Sequence, residues 1–408
     1  NPKRWRARLN NVSHHADLAL LTVDDPTFFE NTKPIELSDT LPETQDDILV
    51  YGFPLGGDTM STTKGVVSRI EHRTYAHSSS FLFAGQIDSA INAGNSGGPV
   101  IKEGEIVGVV MQTLTGSDNI GYMVPVNVVK HFFDDVKDGR YDGFPSLGIV
   151  LQGMENPALK KRFGMNEEQT GVLVTRVLPD APAGELIRKK DVILKINGFD
   201  IADDGTVEFR EGERTAVSYT IQESQVGDTV EIVRLREGQV SNISVRIDRD
   251  IDDDYLVPLE EFDVRPTYYI YGGLVFCPLS KDLMQAWGSN WYNRAPKTLV
   301  NLLSQNYQDP EIDEVVLMLK VLASEENKGY HENSYWIIKE VNGKVISSLK
   351  QMIDILQDPA EGEWAEFLSD SGNYMVLNRE EALSSKEKIL RMYQVPSDRS
   401  ADLLTQRN

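Results

Sequence analysis

The sequence predicts a mainly β fold with some helix: a β-barrel domain followed by two smaller α+β modules. Three observations carry this expectation. Short runs of strand formers alternate with glycine and proline, as in Ile48-Leu49-Val50-Tyr51-Gly52-Phe53-Pro54, the pattern of short barrel strands. A chain of 408 residues is too long for one ordinary core, and its length suggests two or three domains. A strand closed by an Asn-Gly turn occurs at 191–198 and again at 336–343, which reads as a repeated module.

Composition bounds the partners. The net charge of −22, from 41 basic and 63 acidic residues, argues against a nucleic-acid or anionic-membrane partner. No apolar run approaches the roughly 20 residues of a membrane-spanning helix. The single cysteine, Cys277, cannot form an internal disulfide and reads as a small buried hydrophobe rather than a nucleophile. The opening Asn1-Pro2-Lys3-Arg4-Trp5 has neither an initiator methionine nor a signal-peptide profile. An N-terminal part of the natural protein is expected to precede it.

In the first domain, Asp17 stands at the mouth of the strand-forming run Leu18-Ala19-Leu20-Leu21-Thr22-Val23; in isolation it reads as a surface cap. Strands are expected at 48–53, 63–70, 104–111 and 120–125. A helix follows, with Asn127 as N-cap and Val128, Val129, Phe132 and Val136 near helical period. Residues 141–145 read as an exit linker. The stretch 86–100 ends in Gly94-Asn95-Ser96-Gly97-Gly98. Its glycines permit backbone conformations that bring successive N–H groups to one point beside the Ser96 hydroxyl. That is the requirement of an oxyanion hole, although a Gly-rich turn with an incidental serine gives the same letters.

Five motifs, in order and spacing, resemble the HtrA (DegP/DegQ) serine proteases: Asp17-Leu18-Ala19-Leu20-Leu21, Tyr51-Gly52-Phe53-Pro54-Leu55-Gly56, Gly65-Val66-Val67-Ser68, the 86–100 block, and Ile120-Gly121-Tyr122-Met123-Val124-Pro125. The resemblance implies a chymotrypsin-like β-barrel protease domain whose N-terminal part lies outside this chain. It implies Ser96 as nucleophile, Asp17 as the triad carboxylate, and the backbone N–H groups of Gly94, Asn95 and Ser96 as oxyanion hole. Ile120, Gly121 and Tyr122 would hold an extended substrate by strand addition. A serine hydroxyl needs an imidazole to accept its proton and a carboxylate to orient that imidazole. Chain order in this fold is His, Asp, Ser. His14 and His15 lie too close to Asp17 and read as strand-edge residues; His72 and His77 read as loop residues, and His131 as the solvent side or edge of the helix. The catalytic histidine is therefore expected upstream of Asn1.

From 144 on, strands at 171–179 and 191–196 and a hairpin over Glu237-Gly238 look like a PDZ domain of the HtrA type. A short helix is expected at 181–183. By this resemblance Leu147, Gly148 and Ile149 form the carboxylate-binding loop; the same residues could simply begin a core strand. Residues 203–214 lengthen the approach to a presumed groove helix at 215–222.

The last part repeats the theme with a Gly272-Gly273 turn, strands at 314–322 and 336–346, and a helix capped by Ser348 that carries Leu349, Met352, Ile353 and Leu356. It reads as a second, divergent PDZ-like domain. Insertions are expected from Ser280 to Pro310, where Trp287, Trp291 and Tyr292 could anchor a partner or form a local cluster. The expected division is 1–143 protease portion, 144–250 first PDZ, 262–396 second PDZ-like domain and 397–408 polar tail.

One protease and two PDZ-like units most resemble the Deg proteases of plants and related bacterial proteins. The resemblance implies an ATP-independent serine endopeptidase that degrades unfolded or damaged proteins, with neither metal nor other cofactor. It implies a homo-oligomer of trimers or their multiples, with the first PDZ docking substrate and the second holding the assembly. The implied compartment is the periplasm for a bacterial member and an organelle or nucleus for a plant one. The alternative reading is a non-proteolytic chaperone or peptide-binding scaffold with a decayed active site.

Overall fold

The computed structural model describes residues 5–404 except 31, 55–58, 90, 93, 114–119, 289 and 305. Leu55 and Gly56 of the Tyr-Gly-Phe-Pro motif and the end of the expected tail thus lie outside the described residues. The chain forms two compact units, Asn1–Ile251 and Asp252–Asn408.

The first unit begins with an antiparallel hairpin of β1 (Ala7–Ser13) and β2 (Leu18–Val23), followed by the short helix α1 (Thr27–Glu30). Six strands then close a barrel in the order β3-β4-β5-β8-β7-β6: β3 (Asp47–Gly52), β4 (Ser61–Thr74), β5 (Phe81–Asp88), β6 (Pro99–Lys102), β7 (Glu105–Thr113) and β8 (Ile120–Pro125). Alternation fixes which side chains turn inward. In β3, Ile48 and Val50 are buried while Leu49 between them is exposed. β5 breaks the pattern, since Leu82, Phe83, Ala84 and Ile87 are all buried. Its outer face is covered by the second module of this unit, as described below.

Helix α2 (Val126–Asp135) packs Val128, Val129 and Phe132 on the barrel core. Pro125, not Asn127, is its N-cap residue, because proline supplies the fixed φ that starts a helix without needing its missing N–H. Residues 141–145 are not a loose linker. Phe144 is 1% exposed and belongs to the barrel's own core cluster, and the Tyr141 hydroxyl accepts from Ser13 Oγ at 2.6 Å.

The second module of this unit is a sheet in the order β16-β15-β11-β10-β9, with β12 paired to β11. Its elements are β9 (Ile149–Gly153), α3 (Pro157–Arg162), β10 (Val172–Val177), β11 (Val192–Ile196), β12 (Phe199–Asp200), the hairpin β13 (Thr206–Arg210) and β14 (Glu213–Ala216), α4 (Tyr219–Gln222), β15 (Thr229–Arg236) and β16 (Gln239–Arg246). The β15–β16 turn places Glu237 at φ 51 and Gly238 at φ 80, the left-handed pair that a two-residue hairpin needs. Residues 181–183 form turns rather than a helix. The expected groove helix is shorter than predicted, because Glu213–Ala216 pairs with β13 instead.

The second unit holds one sheet in the order β17-β18-β19-β20-β22-β23, with β21 paired to β20. Its strands are β17 (Tyr269–Tyr271), β18 (Leu274–Pro278), β19 (Val316–Val321), β20 (Trp336–Val341), β21 (Lys344–Val345), β22 (Trp364–Ser369) and β23 (Tyr374–Asn378). Its helices are α5 (Lys281–Met284), α6 (Trp291–Arg294), α7 (Lys297–Ser304), α8 (Leu349–Gln357), α9 (Arg379–Ser384) and α10 (Lys386–Met392). Ser348 accepts from the Gln351 N–H and caps α8, whose Leu349, Met352, Ile353 and Leu356 are buried. That helix covers one face of the sheet, with Phe276, Met318 and Phe367. The other face, through Cys277 and Leu317, is covered by Met284 and Leu299 of the insertion. Trp287 and Trp291 pack there, Trp287 lying 4.9 Å from Tyr335, so two of the three insertion aromatics form a local cluster. Residues 398–400 run antiparallel beside β17, with the Ile270 N–H donating to Asp398 O at 2.7 Å. Among the described residues, no helix is long and apolar enough to cross a membrane.

Candidate active site

Ser96 sits on the loop between β5 and β6, and the loop is moulded on the end of β3. Gly94 and Gly97 take φ of 102° and 82°, the left-handed region that favours glycine. A Cβ on Gly94 would overlap Phe53 O, and one on Gly98 would overlap Tyr51 O. Gly52 in turn has Asn95 packed where its own Cβ would be. The Tyr51-Gly52-Phe53 motif is thus the platform for the serine loop, and the Phe53 N–H donates to Gly94 O at 3.1 Å. Two further bonds tie the loop to β7: the Gly97 N–H donates to Val110 O and the Val110 N–H to Gly98 O. The Ser96 side chain is exposed, and its Oγ donates to Met111 O at 3.1 Å. Of the three expected oxyanion donors, the Asn95 N–H is directed at Asn92 O, 3.0 Å away.

Ile120, Gly121 and Tyr122 lie on β8, paired with β5 through Asp88, Ile87 and Gln86. A Cβ on Gly121 would collide with the side chain of Ile91, so the glycine makes room for an aliphatic wall just before the serine loop.

Asp17 closes the β1–β2 hairpin at φ 55, its N–H donating to His14 O at 3.3 Å. Burial raises the pKa of its carboxyl above the ordinary value, against the lowering pull of His77 and His14. Tyr75 is fully buried nearby, and burial together with the Asp17 charge pushes its pKa upward. The structure therefore gathers His14, His77 and Tyr75 around Asp17.

Two histidines differ from expectation. His72 is in β4, not in a loop. Its Nδ1 lies 2.8 Å from Thr215 Oγ1 and its Nε2 2.9 Å from Gln222 Oε1. Gln222 Nε2 donates to Phe81 O, which leaves Oε1 as acceptor and assigns the imidazole proton to Nε2. His72 stacks among Phe81, Phe83 and Tyr219, and Phe209 from β13 packs edge-on to Phe83 at 5.2 Å. This aromatic cluster is what covers the outer face of β5. His131 is buried rather than solvent-facing, stacked on Phe144 at 4.5 Å, with Nε2 3.2 Å from Gly143 O.

Leu147 is in the core of the second module and Gly148 is buried at φ 64. The Gly148 N–H donates to Ser146 Oγ at 3.0 Å, and its carbonyl accepts from Leu178. Ile149 opens β9, the edge strand of its sheet. Sequence reasoning missed the role of Phe209; an aromatic residue inside the polar insertion 203–214 was the available signal.

A barrel that presents a serine on a glycine-moulded loop, followed by two edge-stranded α+β modules, defines a trypsin-like peptidase with PDZ domains. The families that match are a trypsin-like peptidase domain over residues 1–109, a PDZ domain over 138–211 and a further PDZ domain over 257–402. The chain belongs to the HtrA/Do-like serine protease family. It is 38% identical over 392 residues to Protease Do-like 2, chloroplastic, of Arabidopsis thaliana, covering 95% of this chain and 63% of that protein. It is 35% identical over 406 residues to Putative protease Do-like 13 of the same plant, covering 99% and 78% respectively. Among solved structures, the HtrA-type protease AlgW with decapeptide has 26% sequence identity and a TM-score of 0.45, over 59% of this chain and 70% of that one. The chain thus spans about two thirds to four fifths of the length of these curated relatives.

Proposed function

We propose that this protein is an ATP-independent serine endopeptidase that degrades unfolded or damaged polypeptides. Ser96 is the nucleophile and Asp17 the carboxylate that orients the imidazole. The general base is a histidine N-terminal to Asn1, as the His, Asp, Ser order of this fold requires. Gly94 and Ser96 are the principal backbone donors to the oxyanion, with Asn95 contributing once its N–H turns from Asn92 O. A donor aimed at the developing charge contributes on the order of 3 kcal/mol. The observation that carries the reading is the Gly94–Gly98 loop, whose glycines lie against β3 where side chains would not fit. Strand addition along Ile120, Gly121 and Tyr122 holds the substrate, and the Leu147-Gly148-Ile149 loop receives a peptide C-terminus once Gly148 releases Ser146. Assembly into trimers or their multiples completes the picture, with the second PDZ-like domain holding subunits together.

A second reading, a peptide-binding scaffold or chaperone, is favoured by the bond that turns the Ser96 hydroxyl proton to Met111 O. Digestion of casein by the natural full-length protein, with Ser96→Ala as control, separates the two. Cleavage that vanishes in the variant supports the protease. Equal behaviour of both forms, with suppressed aggregation of an unfolded client, supports the scaffold.

A further inference from the structure

The second unit contains a cavity of about 630 Å³ on the side of its sheet away from α8. Its apolar wall is made by Val275 and Cys277 of β18, Leu319 of β19, and Leu283 of α5, with Leu256 and Val264 from the segment that crosses in front. Val264 is 60% exposed at its mouth. The volume lies within the range of sites that enclose a ligand or an anchoring side chain.

The charges around it do not cancel. Among the described residues that line the cavity, the carboxylates Glu261, Asp282, Asp313 and Glu314 stand against one cation, Arg265. No ion pair involving any of these four carboxylates occurs among the described residues. Hydrogen bonds orient them instead: the Glu261 N–H donates to Asp282 Oδ2 at 3.0 Å, and Glu314 Oε2 accepts from the Leu349 N–H at 2.9 Å. Burial, and next the neighbouring Asp282 charge, raise the pKa of the Glu261 carboxyl. Close carboxylates beside an apolar recess gain most from an occupant that brings positive charge.

We infer that this cavity docks a segment of a partner polypeptide in which aliphatic side chains are flanked by lysine or arginine. The aliphatic side chains fill the recess over Cys277, and the flanking cations lie against Glu261 and Asp282. The site uses none of Leu147, Gly148 and Ile149 and does not depend on Ser96 acting as a nucleophile.

The test uses the full chain carrying Ser96→Ala and two fluorescently labelled peptides, acetyl-Lys-Leu-Val-Lys-amide and acetyl-Glu-Leu-Val-Glu-amide. Amidation removes the carboxylate that a PDZ loop would capture. Fluorescence anisotropy is expected to show the basic peptide binding and the acidic one failing. The double variant Glu261→Gln/Asp282→Asn is expected to weaken the basic peptide about tenfold, and Leu283→Trp, which fills the recess, to abolish binding. The charge variant decides the matter if the tryptophan variant does not fold. Equal binding of both peptides, no binding of either, or an unchanged affinity in the charge variant overturns the inference. So does a charge variant that alters only self-association in sedimentation, which would assign the cavity to a second copy of this chain.

Discussion

His72 on β4 and Gln222 on α4 are joined by a 2.9 Å hydrogen bond in which the imidazole Nε2–H donates, so one neutral side chain ties the barrel to the module packed on it. Thr215 holds the other ring nitrogen at 2.8 Å.

Burial pushes the His72 pKa down to about 4 from the ordinary 6.5, with the Gln222 bond opposing it. Between those two values the unfolded chain binds a proton that the folded chain refuses. Stability contributed by this site is therefore whole above about pH 6.5 and falls as pH drops toward 4. At about 1.4 kcal/mol per unit, the loss across the window is on the order of 3 kcal/mol. Thermal unfolding of the parent and His72→Gln between pH 4 and 7 should show a shallower dependence in the variant. Parallel curves would contradict it.

Gly94→Ala is expected to cripple catalysis while leaving the barrel folded. The new Cβ would overlap Phe53 O at a φ of 102°, so the loop must shift and carry a proposed oxyanion donor with it. Loss of one donor corresponds to about a hundredfold or more in kcat. Casein hydrolysis by the natural full-length protein, with circular dichroism as a check on folding, measures it.

Asp191 is buried between two arginines. Its carboxylate accepts from Arg236 through Nε and Nη2, both at 2.6 Å, with Arg234 Nη1 at 3.4 Å. Burial is the largest single influence and raises its pKa, but the Arg236 hydrogen bonds, the Arg188 N–H and the charges of Arg236 and Arg234 together outweigh it and hold the carboxyl below its ordinary value. Asp191→Ala removes the carboxylate from two half-buried arginines, which keep Leu186 O as a shared acceptor, and is expected to cost about 2–3 kcal/mol. Hydrogen exchange of β11 and β15 amides should report the loss.

Asn327 is completely buried in the second unit. Its Nδ2 donates to the Gly272 and Leu322 carbonyls, each at 2.8 Å, and its Oδ1 accepts from the Ser324 N–H at 2.9 Å. Asn327→Leu would strand two buried carbonyls and leave a half-buried N–H without its acceptor, so a loss of about 3 kcal/mol is expected. Chemical denaturation followed by Trp287 and Trp336 fluorescence would detect it.

Much of this architecture is written in local patterns. Strand runs at 48–53 and 63–70, the Glu237-Gly238 and Asn342-Gly343 turns and the Ser348 cap depend on neighbouring residues alone, and they occur where the letters put them. The serine loop is equally legible, because its glycines are required by contacts with the motif at 51–53. What the letters hid was contact between distant segments. His131 reads as a helix-edge residue until Phe144 stacks on it, and residues 141–145 read as a linker until Phe144 enters the barrel core. The 203–214 insertion looked like an extended approach because a polar hairpin carrying one phenylalanine has no meaning without the β5 face that receives it.

The entry and exit of the first PDZ module lie side by side. The Ser146 N–H donates to Arg249 O, the Ile251 N–H donates to Phe144 O, and Pro145 bridges Asp250. Tension along the polypeptide therefore does not run through the residues between. A pull on Ile251 against Phe144, which is anchored in the barrel core, loads these antiparallel bonds one after another, as in opening a hairpin, and the intervening sheet is not stretched until they part. The module between would keep its shape under strain until the clasp gave way.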